Sequence, residues 1–213
     1  MNILVTSGAS REPIDAVRFI SNASTGTTGA ALADGLAAHG HRVTLLSGTG
    51  ATRPKEVRDC RAFSTAENLR DKMQALLDTG EYGAVIQCAA IADFRPARAR
   101  SGKPAADEAG LTLRLVPTPK ILPALKGFAP KPLLVIGFTL TAKATAKTRA
   151  TAIARLWAAG PVDAVIHNDL TDLAAGARRI FRAYQPGRSR PQVLRGLPAL
   201  IAWLDRLLAG RAA

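Results

Sequence analysis

The sequence predicts an α/β fold of the Rossmann-like, three-layer type, with a mostly parallel sheet and a late hairpin. Strand-like and helix-like segments alternate along most of the 213 residues, which is typical of a parallel sheet covered by helices on both faces. The first strand leads into a glycine- and serine-rich approach to a helix, and the alternation ends after Asn168. No repeat or linker divides the chain, so we expect one domain over residues 1–213.

Apolar segments predict the parallel strands, and helical periodicity predicts the helices between them. The strands are predicted at 2–6, 42–46, 84–89, 133–138 and 162–167. The helices are predicted at 28–39, 65–79, 119–126 and 146–159. Thr118 and Pro119 are typical of an N-cap and a first helical residue, which places the start of the third helix there.

The last part of the chain departs from the alternating pattern. Arg178–Tyr184 and Gln192–Arg195 predict a hairpin, at about residues 178–195, and Pro198–Ala209 predicts an amphipathic closing helix. Upstream, the polar stretch Arg95–Gly110 contains Pro, Gly and Ser and therefore predicts a mobile flap at about residues 95–110.

The composition favours a cytoplasmic protein that binds an anionic small molecule. No apolar run reaches the roughly 18 residues of a membrane span, and no signal peptide is visible. Cys60 and Cys88 have no paired spacing, which argues against a disulfide framework or a zinc site. The formal net charge of +13 would suit nucleic acid, but the basic residues are scattered and lack stacking aromatics. We therefore expect neither nucleic acid nor a membrane as a partner.

The connection between the first strand and the first helix is the strongest local signal for ligand binding. Gly8 ends the strand, and Gly26 and Gly29 open the helix. Free N–H groups and the positive end of the helix dipole make such a helix start an anion site. The insertion Arg11–Arg18 makes the connection longer than the tight turn of nicotinamide-binding proteins. A plain strand–helix connection is the alternative, but the many hydroxyl groups favour a phosphate-bearing ligand.

Three further polar residues can be interpreted either as functional or as purely structural. Asp93 follows a buried strand, where it suits ribose hydroxyls or a metal, or serves as an N-cap. Lys103 in the flap suits a triphosphate, or is simply solvated. His167 is expected to be a packed strand-end residue rather than a metal ligand. No HExxH, GxSxG or Walker motif is present, which excludes several common hydrolase classes.

Taken together, these segments resemble phosphopantothenoylcysteine synthetase, a ligase of coenzyme A biosynthesis in the DNA/pantothenate metabolism flavoprotein family. The matching stretches are TSGASREPIDAVRFISNASTGTTG, CAAIADFRP, LRLVPTPKIL, VIGF and VIHNDLT. The decarboxylase half that bacteria often fuse to the synthetase is absent from these 213 residues. The resemblance therefore implies the stand-alone form, which needs no FMN and has a separate decarboxylase as a potential partner.

The resemblance implies a reaction in two steps. The carboxylate of 4′-phosphopantothenate attacks the α-phosphate of CTP, or of ATP, with Mg²⁺ assisting, and pyrophosphate leaves. The amine of L-cysteine then attacks the acyl carbon of the acyl-nucleotidylate, which releases CMP. Family members are usually homodimers, and the late hairpin is a candidate for that contact.

The resemblance also implies roles for individual residues. Asn22 is expected to hold the acyl intermediate during cysteine attack, and Lys103 to neutralise the triphosphate, so these two are the catalytic candidates. Mg²⁺ would arrive with the triphosphate, with Asp93 as a candidate ligand. The expected nucleotide-binding residues are Gly8, Ser24, Gln87, Cys88, Ala89, Asp93, Lys103, Pro119, Lys120, Ile121, Leu122, Phe138 and Arg155.

Departures from the family pattern affect the phosphate-binding cations. Lys103 is followed by Pro104, Ala105 and Ala106 where the family usually carries further lysines or serines. Arg155 and Ala159 stand where the helix before the NDL motif often brings two lysines. The alternative interpretation is therefore a catalytically weakened nucleotide-binding homologue that acts as a partner subunit.

Overall fold

The computed structural model describes residues 1–102, 110–172 and 179–210. The strands are β1 (Asn2–Ser7), β2 (Arg11–Pro13), β3 (Phe19–Ser21), β4 (Arg42–Gly48), β5 (Cys60–Phe63), β6 (Ala84–Gln87), β7 (Phe94–Pro96), β8 (Leu115–Pro117), β9 (Leu134–Thr141), β10 (Ala164–Asp169), β11 (Ile180–Tyr184) and β12 (Gln192–Arg195). The α-helices are α1 (Thr27–Ala38), α2 (Ala66–Leu77), α3 (Leu125–Phe128), α4 (Ala146–Ala159) and α5 (Gly196–Ala209). Short 3₁₀ turns lie at Leu122–Ala124 and Leu170–Asp172.

An eight-stranded sheet forms the centre of the molecule, in the order β12-β11-β10-β9-β6-β1-β4-β5. The strands from β10 to β5 are parallel to one another, whereas β11 and β12 form an antiparallel edge. Strand order reverses at β1 and β6, the position where doubly wound folds bind ligands. The predicted fold class, including the late hairpin, is confirmed.

Each face of the sheet carries its own apolar layer. Leu32 and Leu36 of α1 pack with Leu200 and Leu204 of α5 against one face. The opposite face is covered by α2, α3 and α4, which contribute Leu69, Met73, Leu125 and Ile153. Alternate residues of each parallel strand face the two layers, as Ile86 and Val85 of β6 do. The loops at the carboxyl edge are therefore held on a rigid base.

The five predicted parallel strands are present, but three small features were not predicted. They are the edge strand β5 and two two-stranded sheets, β2–β3 and β7–β8. The three-residue strands are too short to show a period of two. The β7–β8 pairing also means that the predicted flap begins as a strand, and its residues 103–109 lie outside the described part.

The predicted helix start at Pro119 is wrong. The Thr118 hydroxyl donates to the carbonyl of Ala92 instead of capping a helix, and helical turns begin only at Leu122. The hydrogen bond from Thr118 to Ala92 therefore replaces the predicted N-cap bond. The closing helix lies closer to its prediction, because α5 starts at Gly196, two residues before its predicted start.

No helix in the described residues is long and apolar enough to cross a membrane.

Candidate active site at the carboxyl edge of the sheet

Hydrogen bonds join the loops that follow β1 and β6 at the point where strand order reverses. Thr6 Oγ1 accepts from the backbone N–H groups of Cys88, at 3.1 Å, and Ala89, at 3.0 Å. The Gly8 carbonyl accepts from the N–H of Ala90 at 2.8 Å. The structure thus brings together Gly8, Cys88 and Ala89, three of the predicted nucleotide-binding residues.

The N-terminus of α1 lies directly on the end of β1. Ser7 Oγ donates to the Gly26 carbonyl at 2.8 Å, and Gly26 has a φ of 78° that favours glycine. A Cβ at Gly29 would lie 2.6 Å from Ser7 Cβ, so only glycine permits this approach. The structure describes all of α1, and its first turn has neither a side-chain cap nor an acidic residue. Its N–H groups and dipole can therefore serve an anion.

Asn22 and Ser24 lie on the loop that enters α1. The Asn22 side-chain amide donates to the carbonyl of Ile91 at 3.1 Å, and Asn22 is exposed. The Ser24 N–H donates to the Asn22 carbonyl at 2.9 Å, which curls the loop toward the helix start. Asn22 therefore bridges the loop before α1 and the loop after β6, beside the anion site.

Asp93 and Lys120 form an ion pair between the β6 loop and the segment after β8. Asp93 Oδ1 lies 2.6 Å from Lys120 Nζ, and the two side chains are 70% and 66% exposed. An ion pair this exposed contributes little to stability, so both groups can turn to a ligand at small cost. Because Asp93 is followed by β7, it is not a helix N-cap.

The side of the site next to β9 is more apolar. Ile121 is buried, and the half-buried Leu122 packs on Gly137, where a Cβ would lie 3.0 Å from Leu122 Cδ2. Phe138 is half-buried, as is Pro119. Gln87 stands in register with Gly137 on the neighbouring strand.

The Gln87 side chain is a buried polar group at this edge. It is 6% exposed, and its Oε1 has no hydrogen-bond partner among the residues that the structure describes. An unpaired buried acceptor is costly, and such groups are expected at sites that complete their bonding with a ligand or water.

Two predicted residues have no structural support at this edge. Lys103 lies outside the described residues. Arg155 is exposed on α4, which starts at Ala146 beside the carboxyl edge and runs away from it. Nine residues at a rise of 1.5 Å place Arg155 about 14 Å further along the axis. The nucleotide-binding roles of both residues stay predictions.

Arg179 is a cation at this site that sequence reasoning did not select. Its guanidinium donates to the hydroxyl of Thr28 in the first turn of α1. Burial raises the pKa of the Cys88 thiol to about 12, and the charge of Arg179 opposes that rise. Cys88 is therefore a packing residue at neutral pH rather than a thiolate. In the sequence Arg179 is only one of the scattered basic residues, and its contact with α1 spans 151 positions.

Asp169 organises the loop between β9 and α4. Its carboxylate accepts from the hydroxyl of Thr141 and from the N–H groups of Lys143, at 2.9 Å, and Ala144, at 3.0 Å. The bond from Thr141, with further backbone and Thr171 bonds, holds the pKa of Asp169 well below its usual range. This carboxylate is a structural anion and is not expected to titrate near neutral pH.

His167 lies beside Asp169 in the same network. It is fully buried, and its Nε2 lies 2.8 Å from the Thr141 hydroxyl. Burial, reinforced by the charges of Arg182 and Arg149, lowers the pKa of His167 to about 4. The prediction of a packed strand-end histidine is confirmed. Across residues 1–102, 110–172 and 179–210, no cluster of three or more His, Cys, Asp or Glu side chains could hold a metal.

The chain was compared with models of known protein families. The family model described as DNA/pantothenate metabolism flavoprotein C-terminal domain matches residues 1–181. The chain belongs to this family. The resemblance read from the sequence is thereby confirmed, and the matched range contains every predicted site residue.

The chain is also similar to individual proteins and to solved structures. It is 36% identical over 138 residues to the coenzyme A biosynthesis bifunctional protein CoaBC of Thermococcus kodakarensis, an overlap of 62% of this chain and 32% of that protein. It is 34% identical over 176 residues to CoaBC of Bacillus subtilis, covering 82% and 42%. The chain thus spans less than half the length of these relatives. The crystal structure of the DNA/pantothenate metabolism flavoprotein from Streptococcus pneumoniae shares the fold, with a TM-score of 0.88, 24% identity and 99% of both chains covered.

Proposed function

We propose that this chain is a phosphopantothenate–cysteine ligase of coenzyme A biosynthesis. Its relatives in the family are named as coenzyme A biosynthesis proteins. The observation that supports the proposal most is the convergence, where strand order reverses, of an uncapped α1 N-terminus with Asn22 and the Asp93–Lys120 pair. An anion site beside an amide donor and exposed charges suits a reaction between two phosphate-bearing substrates.

In the first step the carboxylate of 4′-phosphopantothenate would attack the α-phosphate of the nucleotide. A new P–O bond forms, the bond to pyrophosphate breaks, and an acyl-nucleotidylate results. The N-terminus of α1, with Ser24 and Arg179, would hold the phosphates, and Lys103 would add a charge from the flap. The family resemblance favours CTP over ATP, with the base against Pro119–Leu122 and Phe138.

In the second step the amine of L-cysteine would attack the acyl carbon. The C–N bond forms, the C–O bond to the nucleotide breaks, the amine loses a proton to solvent, and the nucleoside monophosphate leaves. Asn22 would turn its amide from the Ile91 carbonyl to the acyl oxygen, which it can do because the amide is exposed and uncharged.

Mg²⁺ fits this site as a companion of the nucleotide. Mg²⁺ is usually held by one or two carboxylates together with substrate phosphates, and Asp93 offers an exposed carboxylate. When bound, the ion would neutralise phosphate charge. Asp93 is a single exposed carboxylate that already pairs with Lys120, so the residues fit a transient metal rather than a permanent centre.

The assembly and compartment follow the family resemblance. We propose a homodimer, with the β11–β12 hairpin as the candidate contact, and a separate decarboxylase as a potential partner. Cys60 and Cys88 are both free, which accords with a reducing cytoplasm.

A mass-spectrometric assay tests the proposal. The protein is incubated with 4′-phosphopantothenate, Mg²⁺ and either CTP or ATP, first without and then with L-cysteine. We expect acyl-nucleotidylate and pyrophosphate before cysteine, and phosphopantothenoylcysteine after it. A folded protein that binds nucleotide but forms neither product would contradict the ligase and favour the weakened, nucleotide-binding partner subunit.

A further inference from the structure

A cleft of about 350 Å³ lies next to Asn22, between the loop before α1 and the loop after β4. Its lining includes Arg11, Phe19, Ser21, Asn22, Thr49 and Gly50. This volume is at the lower end of the range for ligand pockets, so the cleft suits a small ligand. Of this lining, the family resemblance gives roles only to Asn22 and to Ser24, which also lines the cleft.

Arg11 is the cation of this cleft, and its side chain is held in place. The guanidinium carbon lies 4.6 Å from the centre of the Phe19 ring. A Cβ at Gly50 would lie 2.6 Å from Arg11 Nη2, so the guanidinium passes closely over this glycine. Among the described residues no carboxylate forms an ion pair with Arg11. Neighbouring Glu12 is buried and accepts from the N–H of Ala66 at 2.8 Å, so its charge serves the start of α2.

The strand register places Arg11 beside Asn22. Arg11 is paired with Ser21 across the β2–β3 hairpin, and Asn22 follows Ser21 directly. Side chains two residues apart on a strand share a face, which puts Phe19 and Ser21 on the face of Arg11. Asn22 lines the same cleft as Arg11, so a small ligand there can contact the guanidinium and a group held by Asn22 at the same time.

The chemistry of the second step identifies the anion that suits this position. In an α-amino acid the amine and the carboxylate share one carbon, so an amine aimed at an acyl group beside Asn22 brings its carboxylate within a few bonds of that group. The planar guanidinium fork matches a carboxylate in a bidentate manner. In 4′-phosphopantothenate, by contrast, a long chain separates the reacting carboxylate from the phosphate.

We propose that Arg11 binds the α-carboxylate of the incoming amino acid and thereby selects a carboxylate-bearing amine. The proposal rests on the proposed ligase function. It adds a binding residue for the second substrate, at the Arg11 end of a cleft whose other end, at Ser24, leads to the N-terminus of α1. Phe19 and Gly50 act on the ligand only through the position of the guanidinium.

The experiment compares L-cysteine with cysteamine, which has the same amine and thiol but no carboxylate. Arg11→Gln should raise the KM for L-cysteine about 10- to 100-fold, the loss expected for a hydrogen bond to a charged group. The variant should leave turnover of cysteamine and cysteine-independent pyrophosphate release unchanged. Arg11→Lys, which keeps the charge but not the fork, should show an intermediate KM. Arg206→Gln, an exposed position on α5, controls for loss of surface charge.

The outcomes separate this proposal from the function on which it rests. If Arg11→Gln instead raises the KM for 4′-phosphopantothenate, or slows pyrophosphate release, Arg11 serves the phosphate-bearing substrate and the proposal is wrong. The proposal is also wrong if folded Arg11→Gln prefers cysteine over cysteamine as strongly as wild type does. If Arg11→Gln does not fold, the same comparison is made with Arg11→Lys. A wild type that forms no ligated product removes the proposed function and, with it, this assignment.

Discussion

The Asn22 amide now donates to the carbonyl of Ile91, so its replacement by aspartate changes a donor into an acceptor without changing size. We expect Asn22→Asp to release pyrophosphate but to stall at cysteine addition, because a carboxylate repels the charge of the acyl-nucleotidylate. The intermediate should accumulate when L-cysteine is present, as measured by mass spectrometry. Asn68→Asp on α2 is the control, and normal turnover by Asn22→Asp would remove the role given to Asn22.

Arg179 provides a second prediction for a single residue. Because its guanidinium reaches the first turn of α1, we expect Arg179→Gln to raise the KM for nucleotide about 10-fold or more, the effect of losing a charge-assisted bond to phosphate. Pyrophosphate release at varied nucleotide concentration measures this. Arg206→Gln, at an exposed position on α5, should behave as wild type. An equal KM in both variants would place Arg179 outside the phosphate site.

Site residues that are close together in the sequence could be predicted, whereas those that meet only in the folded chain could not. Asn22, Ser24 and Gly26 lie together on one loop, so a local motif was enough to predict them. Arg179 contacts Thr28 of α1, and Arg11 lines the same cleft as Asn22. No spacing in the sequence indicates either arrangement. The pairing of Asp93 with Lys120 was likewise not predictable, although each residue was selected individually.

Among the elements, α1 is the one whose position decides the geometry of the site. A Cβ at Gly29 would meet Ser7 Cβ and Oγ at 2.6 Å, so α1 must move away from β1 to accept it. We expect Gly29→Ala to lower the free energy of unfolding by about 1–3 kcal/mol, as overpacking does, despite the better helix propensity of alanine. It should also raise the KM for nucleotide.

A matched glycine is the control for this change. A Cβ at Gly127 in α3 meets nothing within 4 Å, so Gly127→Ala should stabilise by up to about 1 kcal/mol and leave the KM unaltered. Chemical denaturation and steady-state kinetics of both variants give the comparison. Equal stability of the two variants would mean that α1 and β1 are not packed as closely as the structure has them.

The predictability of the elements follows from their burial. β1, β6 and the first halves of β9 and β10 are buried on both faces, so each contains a short apolar run that is typical of a buried parallel strand. β5 has three exposed residues and one buried one, which gives no usable pattern. The third predicted helix failed at its start because Thr118 bonds to Ala92 on a distant loop, a tertiary contact that overrides capping preference.

For the molecule as a whole, the buried His167 links stability to pH. The folded pKa is about 4 against about 6.5 in the unfolded chain, so the unfolded state takes up the proton first as pH falls. The contribution of the neutral histidine is therefore full above about pH 6.5 and is lost toward pH 4, by on the order of 2–3 kcal/mol in the free energy of unfolding.

Denaturant unfolding of wild type and His167→Gln across this pH range measures that contribution. His39 and His41, which pair with Asp205, remain in both proteins and cancel in the difference. We expect the difference in unfolding free energy to shrink with falling pH, because glutamine does not titrate. A constant difference from pH 7 to pH 4 would mean that His167 is not buried in its neutral form.

The proposed ligase joins a carboxylate to a nucleotide at this edge of the sheet before the amine attacks. Oxygen tracing tests this most directly, with 4′-phosphopantothenate labelled by ¹⁸O in its carboxylate and complete turnover with L-cysteine. Attack on the α-phosphate predicts one labelled oxygen in the nucleoside monophosphate and none in inorganic pyrophosphate. A label that appears in inorganic phosphate, or none in the nucleotide product, would contradict the acyl-nucleotidylate and the site built around it.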